Sequence, residues 1–113
     1  MIAQKNRFKG HRSLNFVYRN GKMIRTPMFG LKYAHNPKRQ DWRLAVVVSK
    51  KTEPSAVKRT RIRRRLYEMV RTHVPADFAH VDMVVTVYDG NIRTIETPKL
   101  QNWVSDVLTT VNS

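Results

Sequence analysis

The sequence predicts an α+β fold, a small sheet packed with helices in the order α-β-β-α-β-α, and three observations carry that prediction. Residues 28–34 alternate large apolar with small or charged side chains, the two-residue period of a strand. Two stretches, from Pro54 to about His73 and from Thr97 onward, repeat apolar residues three and four apart, as helices do. Gly and Pro stand singly between these segments, with no repeat, linker or low-complexity tract. A chain of 113 residues suits one small core, so residues 1–113 read as a single domain.

Taken in order, a basic lead-in (Lys5, Arg7, Lys9, Arg12) precedes Ser13, a candidate N-cap for a two-turn helix with Leu14, Val17 and Tyr18 on one face and Gly21 as its stop. In the first strand, Met28 to Ala34, Phe29, Leu31 and Tyr33 share one face and Gly30 and Lys32 the other. A polar loop, His35 to Asp41, contains Lys38 and Arg39 and leads to Trp42–Ser49, read as the antiparallel partner of the first strand. Pro54 and Ser55 announce the long helix, which Pro75 stops. Met83–Tyr88 is a continuous strand closed by the turn Asp89-Gly90-Asn91. Thr97 and Pro98 suit the N-cap and first position of a last helix, in which Leu100, Trp103, Val104, Val107, Leu108 and Val111 form an apolar stripe.

Charge narrows the function. Lys and Arg total 22 against 8 Asp and Glu, a net charge of +14, which repels itself on so small a body unless a polyanion neutralises it. The bias is directional: residues 1–71 hold 20 basic and 3 acidic side chains, residues 72–113 only 2 and 5. The first two thirds are an electrostatic footprint for nucleic acid and the last third is scaffold. The chain has no cysteine, so disulfides and thiolate metal sites are excluded. No apolar run approaches the roughly 18 residues of a membrane span, and Met1 to Gly10 lacks the apolar stretch of a signal peptide. A cytoplasmic protein with no membrane partner is expected.

Between Val57 and Arg71 seven of fifteen positions are basic and one is acidic. At 100° per residue Ile62, Leu66, Met69 and Val70 fall on one arc, the side expected to dock on the sheet. Thr60, Arg64, Tyr67 and Arg71 fall opposite, with Arg59 and Arg63 beside them. Charged helix faces are most often mere solvated surface, but those mix signs, whereas the one acid here, Glu68, follows Arg64 in the less favourable order. Arginine in excess over lysine favours phosphate, because the guanidinium fork donates two parallel hydrogen bonds. Tyr67 either stacks on a base or ribose or covers the helix edge. Lys50 and Lys51, at the end of the second strand, extend the positive region toward the helix start.

Catalytic chemistry in the chain would need a carboxylate cluster, a histidine pair or an activated nucleophile. His11, His35, His73 and His80 are scattered; Asp77, Asp82 and Asp89 flank the third strand, where Asp82 is expected to limit edge pairing and Asp89 to make the turn. No glycine-rich phosphate loop or nucleotide fingerprint is present; no small-molecule substrate is expected.

The run Ser49-Lys50-Lys51 followed by Ser55-Ala56-Val57-Lys58-Arg59-Thr60-Arg61-Ile62-Arg63-Arg64 resembles the SKK and AV-x-RNR-x-KR signature of the bacterial ribonuclease P protein family. Phe16-Val17-Tyr18-Arg19-Asn20-Gly21 is similar to that family's first helix, and Arg25-Thr26-Pro27 leads into its first strand. The resemblance implies a ribosomal-protein-like sandwich with a left-handed crossover through the basic helix, against the general right-handed preference. It also implies a ribonucleoprotein whose RNA subunit, with Mg²⁺, hydrolyses precursor tRNA, while the protein alone binds no cofactor and holds no catalytic residue. Lys50, Lys51, Lys58, Arg59, Thr60, Arg61, Arg63, Arg64, Tyr67 and Arg71 are then RNA-binding candidates, and Leu14, Tyr18, Gly30 and Lys32 belong to a cleft for the 5′ leader. Thr60 stands where the family usually has Asn, Tyr67 where it has Arg and Leu14 where it has an aromatic; the connection after Lys51 is one residue longer. Two other readings are a structural, ribosomal-type RNA-binding protein and a self-sufficient metal nuclease using Asp82 or Asp89.

Overall fold

The computed structural model describes residues 3–8, 12–38, 40–78 and 80–112; Lys9 and His11 of the lead-in and Arg39 of the loop lie outside the described residues. Helix α1 spans Arg12–Asn20, and four strands follow: β1 Lys22–Arg25, β2 Phe29–His35, β3 Arg43–Val47 and β4 Val81–Val87. Helix α2, Ala56–His73, joins β3 to β4, and α3, Thr97–Asn112, closes the order, with short 3-10 turns at Gln4–Asn6 and Gly90–Arg93.

The sheet order is β1-β2-β4-β3, with β1 and β4 antiparallel to β2 and β3 parallel to β4. This corrects two expectations. The stretch from Trp42 is not the neighbour of the first strand, because β4 lies between them; and a fourth strand, Lys-Met-Ile-Arg, pairs at the edge. The cause is burial. In β4 six of seven residues are buried, so it needs cover on both faces and a neighbour on each side, and it takes the centre. β1 is largely exposed and carries no alternating pattern to betray it.

Helix boundaries moved by single residues. α1 begins at Arg12, which places Ser13 inside its first turn rather than at its cap, and the Gly21 amide donates to Val17 O (2.8 Å) to end it. Ser55 caps α2 as expected, accepting from the Lys58 amide. Thr97 is already helical, and the Leu100 amide donates to Glu96 O, so Glu96 holds the position expected of Thr97. Asp89 accepts from the Asn91 amide and starts the 3-10 turn. His80, at a left-handed φ of 62°, turns the chain into β4, where its carbonyl accepts from the Asn36 amide.

The two sheet faces differ. On one, Leu31, Leu44, Val46, Met83, Val85 and Val87 pack with Ile62, Leu66, Met69 and Val70 of α2 and the whole apolar stripe of α3 except the half-buried Trp103. The other face holds a smaller cluster, Val17 of α1 over Ala34 and Val84, with Phe8, Leu14 and Ala45 at its margin. Beside that cluster Arg43 and Asp82, register partners on β3 and β4, form a buried two-bond ion pair (2.8 and 2.7 Å). Asn36 donates to the same carboxylate, and the Phe8 ring stacks on the guanidinium, 4.8 Å from its centroid. Asp82 therefore sits in the central strand, holding β3 to β4, and does not guard an edge.

Candidate nucleic-acid interface

Strand register arranges the α1 side of the sheet as rungs. Arg43, Asp82 and Ala34 make one, Ala45, Val84, Lys32 and Met23 the next, and Val47, Thr86, Gly30 and Arg25 the third. α1 covers the first two through Val17 and leaves the third to Tyr88. Gly30 is buried there beneath Tyr88: a Cβ on Gly30 would come within 2.0 Å of the Tyr88 hydroxyl. That close approach is why a glycine sits in mid-strand. Arg25 Nη1 donates to the Tyr88 hydroxyl (3.2 Å), and the Tyr88 amide donates to Met28 O (2.8 Å), so the ring is held from both ends while its outer surface stays exposed.

The cleft candidates divide accordingly. Tyr18 is exposed in the last turn of α1. Lys32 Nζ donates to Tyr18 O, which neutralises the carbonyl end of α1 and fixes the helix over the sheet. Leu14 is half-buried against the small cluster, making it part of the packing between α1 and the sheet. Tyr88, Met23, Arg25, Thr86 and Val47 are not assigned to this face by the sequence reading. The available signal was parity: residues 84, 86 and 88 share the face of 30 and 32 once β2 and β4 are paired.

Helix α2 lies along the open edge of β3. Its exposed row is Val57, Arg61, Arg64, Glu68 and Arg71, rotated from the stripe Thr60, Arg64, Tyr67 and Arg71 expected from the helical wheel. The rotation follows from Tyr67, whose hydroxyl accepts from the Val46 amide (3.2 Å) at the unpaired edge of β3. Tyr67 thus covers a strand edge, and the flank that carries it leans against the sheet. Arg59 donates to the carbonyls of Glu53 and Pro54 (2.8 and 2.9 Å), clamping the turn before the helix, and Arg63 donates to Thr60 Oγ1. Thr60 in turn bonds Ala56 O. Arg65 donates to the carbonyls of Ile92 and Ile95 and ties α2 to the start of α3. Arg71 pairs with Glu68, whose carboxyl is held below its ordinary range by hydrogen bonding to that guanidinium.

Subtracting these leaves Lys50, Lys51, Lys58, Arg61 and Arg64, all exposed and, among the described residues, without a side-chain partner. They follow the chain from the turn after β3 over the outer surface of α2. Such cations can bind phosphates with little loss to the fold, because no internal bond must break first. Among the described residues no group of three His, Cys, Asp or Glu side chains comes together.

A family model described as Ribonuclease P matches residues 2–112. The chain belongs to the ribonuclease P protein family. It is 33% identical to the ribonuclease P protein component of Prochlorococcus marinus strain MIT 9312 and 30% identical to that of strain AS9601, the matched part covering 66% of each relative. The chain thus spans about two thirds of the length of those curated relatives. Among solved structures it is similar to the RNase P protein of Staphylococcus aureus, with a TM-score of 0.77, 24% identity and 94% of both chains covered. It is also similar to the RNase P protein of Thermotoga maritima, with a TM-score of 0.75, 19% identity, and 92% of this chain and 96% of that one covered. Fold and family agree, and no helix among the described residues is long and apolar enough to cross a membrane.

Proposed function

We propose that this chain is the protein subunit of a ribonuclease P ribonucleoprotein, binding a catalytic RNA and the 5′ leader of precursor tRNA so that the leader is removed. The observation that carries the reading is a sheet rung that α1 leaves uncovered, bearing a fixed and outwardly exposed tyrosine, next to a helix whose cations face outward without a side-chain partner among the described residues. A single strand needs a stacking surface and a folded RNA needs a row of phosphate contacts. Both lie on one molecule. Lys50, Lys51, Lys58, Arg61 and Arg64 take RNA phosphates in this reading; Arg59, Thr60, Arg63, Tyr67 and Arg71 shape and hold that surface. Tyr18 and Tyr88 stack leader bases, with Gly30 and Lys32 forming and bracing the floor.

Phosphodiester hydrolysis then belongs to the RNA subunit and its Mg²⁺. The acids near the interface already have structural work: Asp82 with Arg43, Glu68 with Arg71, and Asp89 at the turn. The test is reconstitution. A bacterial ribonuclease P RNA plus this protein should process precursor tRNA at low Mg²⁺, where the RNA alone is slow and the protein alone inactive. Absence of stimulation sinks the proposal, and co-sedimentation with ribosomal subunits in its place would point to a structural role.

A further inference from the structure

We infer that the outer flank of α1, around Phe16, is a second single-strand contact, which takes leader nucleotides lying 5′ of those in the cleft. This rests on the functional reading above. Phe16 stands two residues from Leu14, so at 100° per residue it lies off the Leu14 and Val17 side that packs on the sheet and takes no part in that cluster. Its ring is 48% exposed, and Arg12 and Arg19 lie one turn before and after it on the same flank. Neither arginine has a side-chain partner among the described residues.

Lone exposed apolar residues are common and usually mean nothing. This one divides two shallow hollows that share Arg12. One is lined with Asn15, Arg19 and Asn20, the other with His35, Asn36 and Lys38. The single carboxylate touching either hollow, Asp82, is buried and already neutralised by Arg43. A ring with a guanidinium on each side, an amide beside it and no free acid matches an unpaired nucleotide: base on the ring, phosphates on the cations. A protein partner is disfavoured because no second large apolar side chain lines either hollow to build a patch. Duplex RNA is disfavoured because its bases are already stacked. Tyr18 and Phe16 are on the same short helix, so a strand leaving the cleft past α1 meets Phe16 next.

The experiment uses the assembled holoenzyme and two precursors. In one the leader ends within the cleft; in the other it is extended at its 5′ end by several unpaired uridines. The extension should tighten binding of the native protein. Phe16→Ala should abolish that gain, a loss of about fivefold or more on the extended precursor, and leave the short-leader precursor and the affinity for the RNA subunit unchanged. Phe16→Trp should retain the gain, and Arg19→Gln should reduce it while flattening its salt dependence. Equal loss on both precursors, or no loss on the extended one, overturns the inference. So does weakened binding to the RNA subunit alone, which would assign the flank to that RNA, or a Phe16-dependent change in sedimentation without a leader effect, which would assign it to self-association. If the native holoenzyme processes neither precursor, the functional reading itself has failed.

Discussion

The two faces of the sheet have the same strands and opposite uses. One is sealed by α2 and α3 over a continuous apolar core; the other has α1 across two rungs and only Tyr88 over the third. Concentrating apolar burial on one side supplies stability without the other side having to close. A small basic protein can then leave part of one sheet face uncovered by helices and still fold. The open face also contains the one buried ion pair of the described residues, Arg43–Asp82, which joins the strands where little apolar packing is available.

Substitutions can break this contrast, starting with the ion pair. Asp82→Ala strands a buried guanidinium and should destabilise the fold by about 3–5 kcal/mol, read as a lowered melting temperature. A small change would mean that water or RNA already compensates Arg43. On the sealed face, Leu66→Ala should cost about 2–5 kcal/mol in the same measurement; an unaltered melting curve would show that the buried arc of α2 is misassigned. Tyr88→Ala should behave oppositely, leaving melting nearly unchanged while weakening leader-bearing precursor by about 1–3 kcal/mol relative to mature tRNA. Equal weakening of both RNAs would remove Tyr88 from the leader cleft.

Smaller effects sharpen the role of α2. Arg64→Ala should lower affinity for the RNA subunit across sequences and reduce the salt slope by about one, with the fold intact. Glu68→Gln should tighten RNA binding slightly by releasing Arg71. The pair's stabilisation has a sign fixed by the lowered carboxyl value: it is present above the unfolded-state value and lost as pH falls through the folded one. Titration of Glu68 by NMR should therefore show a midpoint below that of an ordinary glutamate, and an ordinary midpoint would mean the contact with Arg71 is not held in solution.

How much of this was legible beforehand differs by element. The buried arc of α2, its Ser55 cap, the stripe of α3 and the excess of positive charge could all be read from sequence, because helix periodicity, capping and net charge are local or additive properties. The division of labour among the arginines could not. Arg59 belongs to the same basic run as Arg61 and Arg64 and reads from sequence as another RNA contact, yet it is spent on carbonyls of the turn before α2, whereas Arg61 and Arg64 have no side-chain partner among the described residues. Tyr67 was balanced between stacking and covering until the position of the β3 edge was known.

Strand order shows the same boundary. Alternation in β2 announced two faces, but which strands flank it depended on β4 arriving from far along the chain to claim the centre. The third rung is the extreme case: Arg25 and Tyr88, 63 positions apart, meet over Gly30. Local pattern thus specified the parts and their charge, while the arrangement of Arg25, Gly30 and Tyr88 arose from pairing distant segments, a selection made by burial and backbone satisfaction over the whole sheet rather than by any short run of residues.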